Sequence, residues 1–118
     1  MGLNRDTWTK AKRLVSARDG GICLKCLGEA TAVHHRIPRG MGGSSDDERN
    51  YGLANLVSLC EECHTWAHMS PEEAYGTGFL LHWWDDPGKF PLTVKPGSFH
   101  VLLTAEGDMV QLNPVVLF

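Results

Sequence analysis

The sequence predicts a small α+β fold built around bound metal, and three observations predict it. Two Cys-x-x-Cys pairs, Cys23/Cys26 and Cys60/Cys63, frame the middle of the chain. His34, His35, His64 and His68 fall inside or just beyond that frame, so all the cysteines and four of the six histidines share the 46-residue window 23–68. Around the window the hydrophobic pattern runs helix-like, then strand-like, then helix-like, and ends in a β-like tail. At 118 residues the chain is expected to be one domain over 1–118, with its core at about 20–70 and a C-terminal annex at about 71–118.

Each element has its own signal. Trp8, Ala11, Leu14 and Val15 form a stripe at helical spacing, which predicts a first helix from Asp6 or Thr7 to Ala17, closed by Asp19-Gly20-Gly21. Ile22 to Ala30 reads as a knuckle, with Gly28 expected to provide the tight return after Cys26. Thr31 to Ile37 is rich in β-branched residues and reads as a strand. Pro38 to Asn50, with three glycines and two serines before Asp46-Asp47-Glu48, reads as a loop. Asn55 to Leu59 is the returning strand, and Glu61 to Met69 a helix halted ahead of Pro71. In the annex, Pro71 to Tyr75 suits one more helical turn, and Val101 to Leu112 a hairpin turning near Glu106-Gly107-Asp108. Trp83, Trp84 and Phe90 are expected to pack the annex against the core, as large aromatics usually do.

Composition narrows the function classes. The chain is 42% hydrophobic and 21% charged, without repeats beyond the two knuckles, which excludes a disordered or fibrous chain. Met1 to Val15 lacks the apolar run of a secretory signal and no segment approaches a membrane span, so a cytoplasmic location with no membrane partner is expected. The net charge of −3 is unevenly spread: positions 1–45 hold eight Lys/Arg against three Asp/Glu, and positions 46–118 hold three against eleven. Arg5, Lys10, Lys12, Arg13, Arg18, Lys25, Arg36 and Arg39 could therefore face a polyanion, the alternative being a solvated helix face.

In a reducing compartment, paired knuckles are thiolate metal ligands rather than disulfides. Cys23, Cys26, Cys60 and Cys63 have the spacing of a structural four-cysteine Zn²⁺ site. Such an ion contributes folding free energy on the order of 10 kcal/mol in zinc peptides. His64 and His68, four apart on the predicted helix, share a face at ligand spacing. His34 and His35 are consecutive on a predicted strand, so their rings should point to opposite sides and cannot be equivalent ligands. His82 and His100 lack comparable neighbours and are read as structural.

Taken together, Cys23-x-x-Cys26, His34-His35-Arg36-Ile37-Pro38-Arg39-Gly40-Met41-Gly42-Gly43, Asn55-Leu56-Val57-Ser58-Leu59-Cys60 and Cys63-His64 with His68 resemble the HNH endonucleases. Trp8 and Arg18-Asp19-Gly20-Gly21 are further similar to small zinc-containing members from tailed bacteriophages. The resemblance implies a ββα-metal (His-Me finger) core and a metal-dependent DNA endonuclease that leaves 5′-phosphate and 3′-hydroxyl ends. It implies His35 as general base, His34, His64 and His68 as ligands of one catalytic divalent cation, and Asn55 as the residue that fixes the His35 strand. Arg36 and Arg39 become candidates for phosphate contacts. For the phage-like members it also implies a partner, the terminase large subunit, in genome packaging within the host cytoplasm. The chain departs from many members in carrying His34 where they have Asp. An imidazole-rich site favours Zn²⁺, Ni²⁺ or other transition ions more than a carboxylate site would, while Mg²⁺ prefers oxygen, and the catalytic ion stays open among Mg²⁺, Mn²⁺, Ni²⁺ and Zn²⁺. Two rival readings are a non-catalytic zinc module that binds nucleic acid and a toxin-type DNase, the latter requiring an immunity protein.

Overall fold

In a computed structural model, residues 3–40, 46–95 and 99–112 are described. The elements, in chain order, are α1 (Arg5–Asp19), β1 (Ala32–His35), α2 (Asp47–Tyr51), a 3-10 turn (Leu53–Asn55), β2 (Leu56–Leu59), α3 (Glu61–Met69), α4 (Pro71–Gly76), β3 (Leu92–Val94), β4 (Phe99–Leu103) and β5 (Met109–Leu112). The mixture is α+β, as expected. Strands β1 and β2 form an antiparallel pair in which His34 opposes Val57 and His35 opposes Leu56. A separate antiparallel sheet has the order β3-β4-β5.

The first helix begins where Asn4 accepts the Thr7 N–H, and it ends where Gly20 turns left-handed at φ 70. It outruns the predicted helix at both ends because capping, rather than the apolar stripe, sets its limits. Its final residues also pin it to the strands. Arg18 and Asp19 form a buried ion pair at 2.7 Å, Arg18 donates to the Leu53 and Leu56 carbonyls, and Asp19 accepts the Ser58 N–H. Arg18 is therefore an internal strut, which removes it from the basic face proposed to meet a polyanion.

All four residues of β2 are buried, because the strand lies between two layers. On one side Leu56 packs with Ala11 and Val15 of α1, and with Trp8, Val33 and Leu53. On the other, Val57 and Leu59 join Leu24, Ala67, Ala74, Phe79, Leu92 and Val101 in the larger cluster. The annex therefore shares one core with the knuckles and α3. Fully burying one such aliphatic or aromatic side chain contributes roughly 1.5–3 kcal/mol.

Three sequence expectations are corrected. Residues 38–50 are not loop throughout: the Asp46 side chain accepts the Glu48 N–H and starts the short helix α2, with Asp47 and Glu48 in its favourable first turn. Residues 41–45 of that predicted loop lie outside the described residues. Asn55 ends a 3-10 turn rather than opening a strand. Trp83 and Trp84 do not pack the annex onto the core; they are 72% and 64% exposed, and Phe90 is 42% exposed. Phe79, Leu80 and Leu81 occupy the core in their place. The loop that follows turns outward, and Trp84 stacks on His82, which stacks in turn on Tyr75. The predicted hairpin is β4 and β5, closed by Gly107 at φ 94, while β3 extends it on the other side.

Candidate active site and metal centres

Knuckle geometry brings the four cysteines together from β1's approach and α3's start. Cys60 caps α3, its sulfur accepting the Cys63 N–H, and the Cys26 sulfur accepts the Gly28 N–H. The left-handed residue after Cys26 is Leu27, at φ 67, and not Gly28. Gly28 instead relieves crowding, since a Cβ there would stand 3.3 Å from the Cys26 sulfur.

All four sulfurs lie within 4.8 Å of one another. A tetrahedron with metal–sulfur bonds of about 2.3 Å has edges of about 3.8 Å. Cys26 Sγ and Cys60 Sγ are 3.8 Å apart, so this donor set fits a zinc-like ion. Burial works to raise the Cys23 thiol, but backbone N–H groups of Cys26, Cys60 and Lys25 outweigh it and bring its pKa down to about 7. Burial and the neighbouring thiols push Cys63 the other way. Four thiols close together resist collective ionisation, and a divalent cation reverses that balance.

The strand pairing separates the two adjacent histidines. His34, opposite Val57, points toward α3, whereas His35, opposite Leu56, points toward α1. His64 and His68 project from one face of α3, and their ring centroids lie 5.1 and 5.5 Å from that of His34. One ring nitrogen from each of the three falls within 4.8 Å of the others, which suits one divalent ion after small side-chain adjustments. His34 Nε2 is 2.6 Å from the Phe79 carbonyl oxygen. A carbonyl only accepts, so Nε2 carries the hydrogen and the free lone pair is on Nδ1. Burial, followed by the nearby His64 and His68, lowers the His34 pKa to about 3 despite that carbonyl, so the ring is neutral at physiological pH. Burial and then His68 also lower His64. Neutral imidazoles are what a metal requires.

His35 stacks on Trp8 with centroids 5.2 Å apart, and its Nε2 is 3.0 Å from the Asn50 carbonyl oxygen. Because that carbonyl only accepts, the His35 hydrogen lies on Nε2 and its lone pair on Nδ1. Burial, then Arg39 and His64, lowers its pKa, against an opposing effect of the Asn50 carbonyl. His34, His35, Arg39, His64 and His68 line one shallow cleft of about 360 Å³.

Asn55 is buried, and its amide joins two segments. Its oxygen accepts the Ile37 N–H at 2.7 Å, and its nitrogen donates to the Arg49 carbonyl at 2.8 Å and the Ile37 carbonyl at 3.3 Å. It thereby ties the exit of β1 to the residue before Asn50, the acceptor for His35. Arg39 is half-buried beside the cleft and donates to the Asn50 side chain.

Arg36 overturns its expected role. It is fully buried, and its guanidinium donates to the carbonyls of Gly78, Ala54, Pro87 and Phe90. It cannot reach a phosphate from there. Strand alternation sends Arg36 inward with His34. A second hollow, of about 340 Å³, lies near Asn55 and is lined by Asp46, Glu48, Asp85 and Asp86. Its carboxylates make it unsuitable for a polyanion. Trp8 and the carbonyls of Asn50 and Phe79 escaped the reading of the site from sequence. A helix-stripe tryptophan looks like ordinary core, and a backbone acceptor has no residue signature.

The three histidines and the four cysteines are two separate donor sets that could each hold a metal ion. The model of the HNH endonuclease family matches residues 21–70. No curated protein and no solved structure matches the chain.

Proposed function

We propose that this protein is a metal-dependent DNA endonuclease with a ββα-metal core made of β1, β2 and α3. The convergence of His34, His64 and His68 from two elements, with His35 turned to the opposite face of the same strand, carries this reading. These three histidines would hold one divalent cation, and Cys23, Cys26, Cys60 and Cys63 a structural Zn²⁺. A bound divalent ion supplies charge stabilisation at the scissile phosphate and the leaving 3′ oxygen. His35 Nδ1 accepts the proton of the attacking water, its orientation held by Trp8 and the Asn50 carbonyl. Asn55 acts through the backbone, and Arg39 meets phosphate at the edge of the cleft.

Cleavage of this kind leaves 5′-phosphate and 3′-hydroxyl ends. Lys10, Lys12 and Arg13 are exposed on α1, the helix that also supplies Trp8, and would extend the DNA track. The similarity of Trp8 and Arg18–Gly21 to small phage members supports a phage-encoded enzyme acting beside a terminase in genome packaging, in the host cytoplasm. Among the described residues, no helix is long and apolar enough to cross a membrane.

A plasmid-nicking assay with added Mg²⁺, Mn²⁺, Ni²⁺ or Zn²⁺ tests the reading. Wild type should cut, while His35→Ala should not and should retain its zinc and fold. If wild type is inert with every ion while still binding DNA, the non-catalytic zinc module replaces the enzyme.

A further inference from the structure

The stretch after α4 is tied to β1 by polar contacts that apolar packing does not require. The Leu81 N–H donates to the Arg36 carbonyl at 2.8 Å. Arg36 Nε donates to the Gly78 carbonyl at 2.8 Å, and its terminal nitrogens reach the Pro87 carbonyl at 3.0 Å and the Phe90 carbonyl at 2.9 Å. One residue beyond Gly78, the Phe79 carbonyl meets His34 Nε2.

Burying a guanidinium strips its hydration, a cost that falls only where polar partners replace the water. Here the partners are backbone carbonyls, three of them from the annex and one, Ala54, from the core. A charged fork of donors two residues beyond His34 therefore gathers the turn that carries His34's hydrogen-bond acceptor. Carbonyls that orient a metal-bound imidazole fix its tautomer and tune its affinity.

We propose that Arg36 is a positioning residue for the catalytic ion: it holds the 78–90 segment so that the Phe79 carbonyl takes the His34 Nε2 hydrogen and leaves Nδ1 for the metal. The annex is then a working part of the metal site. The proposal rests on the reading of His34, His64 and His68 as ligands, and its test separates the two.

The chain is labelled with ¹⁵N, loaded with one equivalent of zinc and kept free of a second ion. Long-range ¹H–¹⁵N spectra then report which nitrogen of His34 carries hydrogen, and a Co²⁺ titration measures affinity at the second site. Two variants disturb the segment differently. Arg36→Lys keeps charge but loses the fork. Gly78→Ala leaves Arg36 intact but places a Cβ 2.2 Å from the Pro91 carbonyl oxygen at φ +82, so the segment must shift. The wild type should show the Nε2–H form. Both variants should show mixed tautomers and Co²⁺ affinity lower by about 10- to 100-fold, with zinc retained. If Arg36→Lys does not fold, Gly78→Ala and the wild-type tautomer decide. An Nδ1–H form in wild type overturns the proposal, as does a folded variant with wild-type tautomer and affinity. If wild type binds no second ion, the ligand reading fails, and the tautomer measurements still judge Arg36.

Discussion

Replacing Asn55 by Ala removes three hydrogen bonds; the two short ones, at 2.7 and 2.8 Å, leave the Ile37 N–H and the Arg49 carbonyl without their side-chain partner, and the third, to the Ile37 carbonyl, is long at 3.3 Å. Asn55 is 1% exposed, so water does not reach these groups without local opening. A buried polar group left unpaired costs about 1–3 kcal/mol, and two such groups give about 2–6 kcal/mol. Against a typical stability of about 5–15 kcal/mol, that is a large fraction. Urea titration of zinc-loaded wild type and Asn55→Ala, at constant zinc, measures the loss as a lower midpoint at unchanged slope. The kinetic consequence follows from the same contacts. Arg49 precedes Asn50, whose carbonyl orients His35, so the variant should misplace the base and lower kcat on the order of 10²-fold with little change in KM. A stability loss under about 0.5 kcal/mol would refute the bridging argument. Lost activity at full stability would instead mean that the Asn55 amide touches substrate.

Other outcomes are expected from the same structure. Cys23→Ser should lose the structural ion and unfold, and a strong chelator should unfold wild type, whereas His64→Ala should remain folded and inactive; metal content with circular dichroism checks all three. The acid limb of kcat/KM should fall below the ordinary imidazole value of about 6.5, because burial lowers the His35 pKa. The sign follows from protonation: as pH drops through that pKa, Nδ1 takes up a proton and the base is lost. A midpoint at or above 7 that moves with the added ion would assign the limb to metal-bound water. Trp83→Ser should change stability by no more than about 0.5 kcal/mol in denaturant titration, since the ring is 72% exposed. Gly52→Ala should destabilise measurably in the same titration, because its Cβ would stand 2.3 Å from the Glu48 carbonyl oxygen.

Residue type and local period were enough to read several parts of the site from the chain. Cys23, Cys26, Cys60 and Cys63 announce a thiolate site by spacing, and the observed sulfurs come together. Period-two alternation sends His34 and His35 to opposite faces, and the i, i+4 spacing joins His64 to His68. The helix Glu61–Met69 and the β4–β5 hairpin were likewise legible from their caps, prolines and turn residues.

Tertiary structure alone decided which charges and aromatics are internal and what holds the histidines. Arg18 and Arg36 are indistinguishable in sequence from Arg13 and Arg39, yet both are buried struts. Trp83 and Trp84 resemble core residues and stand outside. The acceptors that set the His34 and His35 tautomers are carbonyls of Phe79 and Asn50, 45 and 15 residues away. The physical reason is that every residue carries a carbonyl, so only the folded path of the chain selects the one that meets an imidazole.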